Sequence, residues 1–135
     1  MDLSKAMMIS AAGMKAQSTR MRVIAENLAN ASSVAMAPGV DPYRRKVVTF
    51  TNTLDRELGV TRVKVNNVKY DQSDFGLRFE PGHPAADENG YIKTPNVNGL
   101  IEAMDMKQSQ RSYEANLSSI EVSKSMMMRT LDLLR

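Results

Sequence analysis

Apolar residues recur at helical spacing at both ends of the chain and alternate with polar ones only in its middle. From about Leu3 to Ser33, the residues Met7, Met14, Met21 and Leu28 return every seven positions. A second row, Leu3, Ser10, Gln17 and Ile24, is apolar only at its ends. Steps of three and four place both rows on adjoining faces, which predicts a helix packing along another helix. Asp2 or Ser4 is suited to cap its start. From about Asn96 to residue 135 a second long helix is expected, with no proline and no glycine after Gly99. One of its rows is Met106, Tyr113, Leu117, Ile120, Met127, Leu131 and Leu134, broken at Gln110 and Lys124. A second face carries Ile101, Met104, Ala115, Val122 and Met126. Thr94-Pro95 and Asn98 are both suited to open this helix, and the pattern does not choose between them.

Two apolar faces on one helix call for two sets of neighbours. Either a further copy or a relative of the chain covers the second face, or an antiparallel hairpin buries its own seam; the pattern favours neither. Between the helices the periodicity drops to two. Lys46 to Phe50 is a β-branched run, and Gly59 to Tyr70 alternates around Val60, Val63 and Val65, with turn-prone Asn66-Asn67 inside it. Asn89-Gly90 marks a turn before Tyr91-Ile92. Residues 31–45 read as a loop. The expected fold is mainly α with a small β-rich middle. Long terminal helices pair as a coiled coil, joined by a loop and short antiparallel strands. The divisions fall at 1–33, 34–95 and 96–135.

Composition sharpens this division. All five prolines and six of the seven aromatics lie between residues 38 and 95, while ten of the eleven methionines, all but Met36, lie outside the middle segment 34–95. The absence of cysteine excludes thiolate metal sites, disulfides and thiol catalysis, and the single histidine excludes a multi-histidine site. No cofactor is expected. The net charge of +3 divides as +2, +1 and 0 over the three segments, too even a spread for a nucleic-acid binder. No run of 18 apolar residues is present, so no membrane span is expected. Ala6 to Met14 is too short and too interrupted, by Ser10 and Gly13, for a cleaved secretory signal.

Candidate chemistry thins out on inspection. His83 lies in the rigid turn Pro81-Gly82-His83-Pro84, with no nucleophile context. Asp74-Phe75-Gly76 lacks every other kinase element. A calcium loop started at Asp87 puts Ile92 where glycine is required and Asn98 where glutamate is required, so it reads as a turn. Arg44-Arg45-Lys46 is the one basic cluster, read as solvated or salt-bridging. No catalytic pair stands out, and an enzyme is not expected.

Ala25, Asn27, Leu28, Ala29 and Asn30, closing an N-terminal heptad helix, resemble the signature of the bacterial flagellar axial proteins. Pro42-Tyr43-Arg44-Arg45-Lys46, Pro81 to Asp87, Asn89 to Ile92, Pro95 to Asn98 and Arg111 to Asn116 are similar, in order, to stretches of that family's proximal-rod proteins. The chain departs from the pattern at Ser32 to Ala37 and at Gly99. The resemblance implies a structural subunit of a helical tube that transmits torque and surrounds an export channel, in a rod crossing the periplasm. Its implied partners are other copies, other rod proteins, proteins of the membrane-ring and export-gate junction, and the flagellar type III export apparatus, which exports without cleavage. It implies ends that order only on assembly. On this reading Leu3, Met7, Met14, Met21, Ile24 and Leu28 pack against Met106, Tyr113, Leu117, Ile120, Met127, Leu131 and Leu134. Ile101, Met104, Ala115, Val122 and Met126 face adjacent subunits, and Tyr43, Arg44, Arg45 and Lys46 make loop and strand contacts. The alternative from another class is a small helical adaptor or export chaperone, for which a stable, typically acidic bundle is expected instead.

Overall fold

A computed structural model describes residues 2–134. The element order is α1 (Leu3–Ala29), β1 (Lys46–Asp55), β2 (Val60–Tyr70), β3 (Gly76–Phe79), β4 (Tyr91–Thr94) and α2 (Gly99–Leu133). Helix α1 starts where Asp2 Oδ1 accepts the backbone N–H groups of Ser4 and Lys5, satisfying two of the donors a helix start leaves free. It ends at Ala29 rather than near Ser33: the Asn30 side-chain amide folds back onto the Glu26 carbonyl at 2.8 Å, closing the last turn. Helix α2 starts at Gly99, because Asn98 Oδ1 accepts from Leu100 and Ile101. Thr94 stays in a strand, and Pro95 is buried outside the helix. The expected end at residue 135 lies outside the described residues.

The chain divides into two units. The first holds residues 1–21, 48–67 and 107–135. There α1 and α2 run antiparallel: Ser10 donates to Ser119 at 3.2 Å, and three residues on along α1 and back along α2, Gly13 meets Asn116. The seam between them is not the methionine row. Its buried positions are Ser10, Gly13, Ala16, Ser109 and Ser123, whereas Met7, Met14 and Met21 are only half-buried. Small residues let the two backbones close up, so the large side chains are displaced to the flanks. The hairpin β1–β2 turns at Gly59, whose φ of 64° is open to glycine at no steric cost. Asp55 accepts the turn's N–H groups with its side chain and pairs with Arg62. Asn66-Asn67 does not turn; it continues β2, and the Thr49 hydroxyl donates to the Asn67 carbonyl.

The second unit holds residues 22–47 and 68–106. A two-stranded sheet pairs β3 with β4 antiparallel, Gly76 opposite Thr94 and Phe79 opposite Tyr91. The Asn89-Gly90 turn lies between them, with Gly90 at φ 79° and Asp87 Oδ1 accepting from Asn89 and Tyr91. Ile92 is buried on one face, while Leu77, Phe79 and Tyr91 are exposed on the other. His83 takes part in the preceding turn, its Nδ1 accepting from the Ala85 N–H.

Gly13 supplies a direct check of the close seam. A Cβ there would lie 2.9 Å from the Asn116 amide, which itself donates to the Ser112 carbonyl. Gly13→Ala gains about 1 kcal/mol of helix propensity and loses about 1 kcal/mol by displacing that amide, so it is expected to be close to neutral. Gly13→Leu forces the helices apart and is expected to cost about 2–3 kcal/mol, measured by denaturant unfolding.

Candidate functional site

The family-like stretch at the end of α1 converges with the basic cluster. Asn27, 1% exposed, uses every hydrogen-bonding valence of its side-chain amide. Its Oδ1 accepts from the Tyr43 hydroxyl and the Lys46 N–H, both at 2.9 Å. Its Nδ2 donates to the Lys46 carbonyl at 2.8 Å and to Glu102 Oε2 at 3.1 Å. One side chain therefore holds the C-terminal end of α1, the first residue of β1 and the first turn of α2. Glu102 is 1% exposed, and its charge is matched by Arg45, whose Nε donates to Oε1 at 2.5 Å. A buried carboxylate without that partner would be strongly unfavourable.

Arg45 also reaches Asp71 at 3.4 Å and Asp105 at 3.8 Å. Its backbone N–H donates to Asn96 Oδ1 at 2.8 Å, and the Asn96 amide donates to Asp71 and Ser73. Arg44 turns the other way, donating to the Asp71 and Ser73 carbonyls and lying 4.2 Å from the Phe75 ring centroid. Lys46 pairs with Glu26 at 2.9 Å. The electrostatics follow from these bonds. The Lys46 ammonium holds Glu26 below the usual carboxylate range and is itself raised by Glu26. The Ser73 N–H and hydroxyl, assisted by Arg45, lower Asp71. Burial works against the Arg45 charge, yet its bonds to Glu102 and Asp71 outweigh this and raise it. Burial also raises the Tyr43 phenol.

Of the residues singled out in sequence, Asn27, Tyr43, Arg44, Arg45 and Lys46 are thus brought together. Ala25 and Ala29 are exposed; Leu28 and Asn30 are half-buried. Along the helices Ile24 is buried, and Leu3, Met106, Tyr113, Ile120 and Met127 are half-buried. Leu117, Leu131 and Leu134, assigned to the helix seam, are instead exposed at 40%, 59% and 79%. The physical reason for the last two is length. Carried on from Ser10 and Gly13, the antiparallel register brings Leu3 level with Met126, so the end of α2 overhangs the start of α1. Ile101, Met104, Ala115, Val122 and Met126 are all exposed. Reasoning from apolar periodicity missed Glu102, Ser109, Asn116 and Ser123. Their own seven-residue spacing is the signal that would have found them. Asn96 and Asp71 carry no such signal, because only the folded chain brings them to Arg45.

Removing Asn27 as Asn27→Ala leaves Tyr43, both backbone groups of Lys46 and Glu102 short of a partner, an expected cost of roughly 3 kcal/mol. Asn27→Asp is expected to cost more at neutral pH, because a second carboxylate then faces Glu102. Adding Glu102→Gln to Asn27→Asp is expected to restore more than about 1 kcal/mol; unfolding of the four proteins in denaturant measures this. With Glu26 and Asp71 lowered in the folded state, the stability they supply is complete above the unfolded carboxylate values, about 4, and drains as pH falls through their lower folded values. Lys46 and Tyr43 are raised, so their share is lost on the alkaline side, above about pH 10. Hydrogen exchange over residues 22–47 and 68–106 is therefore expected to show constant protection from about pH 5 to 9 and loss at both extremes.

Residues 88–133 match the family model described as the flagellar basal body rod FlgEFG protein C-terminal. The flagellar basal-body rod protein FlgC of Agrobacterium fabrum is 50% identical over 133 residues, covering 98% of this chain and 96% of that protein. The FlgC proteins of Salmonella typhimurium and Bacillus subtilis are 42% and 36% identical, each over 93% of this chain and 92% and 93% of their own lengths. With matches of this identity running nearly end to end, the chain belongs to the FlgC family of flagellar basal-body rod proteins.

Proposed function

We propose that this chain is a non-enzymatic structural subunit of the proximal flagellar rod, assembling with other axial proteins into a helical tube that transmits torque and encloses the export channel. The observation that carries this reading is the placement of its apolar surface. The helix pair closes on small and polar residues, while Ile101, Met104, Val122 and Met126 are between 51% and 65% exposed. Apolar surface left in water favours association at about 25 cal/mol per Å² buried. Side chains of varied shape and flexible methionines suit a subunit that meets non-identical neighbours.

The polar cluster around Asn27 supports a structural role rather than catalysis, because its groups are spent on one another. The finer reading rests on the family resemblance. Segments 1–33 and 96–135 supply the inner helical wall and 34–95 the outer part. Neighbours are further copies, other rod proteins and proteins at the membrane-ring and export-gate junction. The chain leaves by the flagellar type III apparatus without losing a signal peptide and sits in the rod where it crosses the periplasm. An adaptor or chaperone has no comparable support, since the relatives are named as rod proteins.

Met104→Asp and Val122→Asp test the reading. Both positions are exposed, so cellular level and circular dichroism of the purified chain are expected to be unchanged, while swimming in a strain lacking the native protein is lost. Normal swimming by both variants would remove the assembly role of this face.

A further inference from the structure

Both long helices pass from one unit into the other. Residues 3–21 of α1 and 107–133 of α2 belong to the first unit, residues 22–29 and 99–106 to the second. The two units are held by different means. Among the described residues of the first, Ala16 is the one fully buried aliphatic side chain, and the helix pair closes there on small and polar groups. The second buries Val23, Ile24 and Ile92, and also Pro42 and Pro95. Apolar burial is the main offset to conformational entropy, so the helix pair of the first unit opens more readily than the second unit does.

The polar cluster stands where that opening would run on into the second unit. Residues 22–29 are closed at one end by the Asn30 amide on the Glu26 carbonyl, and residues 99–106 at the other by Asn98 Oδ1 on the N–H groups of Leu100 and Ile101. Asn27 Nδ2 and Arg45 Nε then hold the two oxygens of Glu102, joining both pieces of helix. Arg45 is anchored independently of either helix. Its backbone N–H donates to Asn96 Oδ1, and its carbonyl accepts the Asp71 N–H, each at 2.8 Å.

We propose that Asn27, Arg45 and Glu102 form a latch that stays closed in the unassembled subunit while the helix pair of the first unit opens, so that residues 22–29 and 99–106 persist as helix nuclei from which assembly extends both helices. The inference rests on the assembly reading above and adds to it where ordering begins. Starting a helix in water carries a penalty of roughly a thousandfold in the equilibrium constant, whereas each further residue adds nearly neutrally. With about two turns of each helix already formed, a neighbouring subunit has only to extend them. The latch also bounds how far disorder of the ends reaches into the chain: to Met21 on one side and from Lys107 on the other.

Hydrogen exchange of the purified, unassembled full-length chain, read by peptide mass spectrometry, tests the latch. Peptides within 22–29 and 99–106 are expected to exchange at least roughly tenfold more slowly than those within 3–20 and 108–133. Equal protection along either helix, high or low, would overturn the proposal. Glu102→Gln keeps the side-chain volume and removes the charge. It is expected to lower protection of residues 22–29 and 99–106 together by roughly tenfold, the loss of a charge-assisted bond, while β3 and β4 keep theirs. Asn27→Ala is expected to loosen the same two segments further. Should that variant unfold β3 and β4 as well, Glu102→Gln decides: equal loss in the sheet and the helix turns would mean that the cluster holds the whole unit and is no latch. In a strain lacking the native protein, Glu102→Gln is expected to swim poorly at unchanged protein level. Normal swimming by it while Met104→Asp and Val122→Asp fail to swim would sink the nucleus and leave the assembly reading standing. If all three swim, it is the assembly reading that has failed.

Discussion

A buried carboxylate sets the terms for the second unit. Glu102 has lost nearly all contact with water and remains tolerable because Arg45 and Asn27 meet both of its oxygens. That requirement fixes the first turn of α2 against the last turns of α1. Asn27 extends the same constraint to the backbone of Lys46, so β1 has one permitted starting point. A chain with few large aromatic side chains and a small apolar interior gains from polar bonds a specificity of arrangement that packing alone would not enforce. The arrangement is exacting, since a group removed from such a network leaves others buried and unmatched.

The helix pair of the first unit follows a second rule. Ser10 and Gly13 meet a partner face carrying Ser119 and Asn116, so the backbones approach closely and the interface consumes little apolar surface. The methionines and leucines are left at the flanks and on the overhanging end of α2. For a monomeric protein this would be an expensive use of hydrophobic residues; for a rod subunit it keeps the driving force for assembly in reserve.

Much of this could be read before folding was considered. The two helices announced themselves by seven-residue spacing, the middle by alternation and proline, the β3–β4 turn by Asn89-Gly90. The position of Asn27 could be marked through family resemblance, although its four bonds could not. Apolar periodicity put Leu117, Leu131 and Leu134 in the helix seam, yet within the single chain they are exposed, because periodicity counts greasy positions and is blind to close approach through serine and glycine. Asn66-Asn67 misled for a related reason: local turn preference is weak, and cross-strand pairing overrides it.

Local chemistry decided what is local. Side-chain oxygens of Asp2 and Asn98 reach backbone donors two and three residues away, so the helix starts are set by neighbours in sequence. Periodicity likewise separated the helical ends from the strand-rich middle, while the boundaries themselves, such as the end of α1 at Ala29, came from the capping contacts. Tertiary structure alone decided that Arg45 pairs with Glu102 and Asp71, that Asn96 caps the Arg45 backbone, and which stripe of each helix turns inward. Those contacts join residues dozens of positions apart, and their energies depend on a burial that exists only once the whole chain has folded.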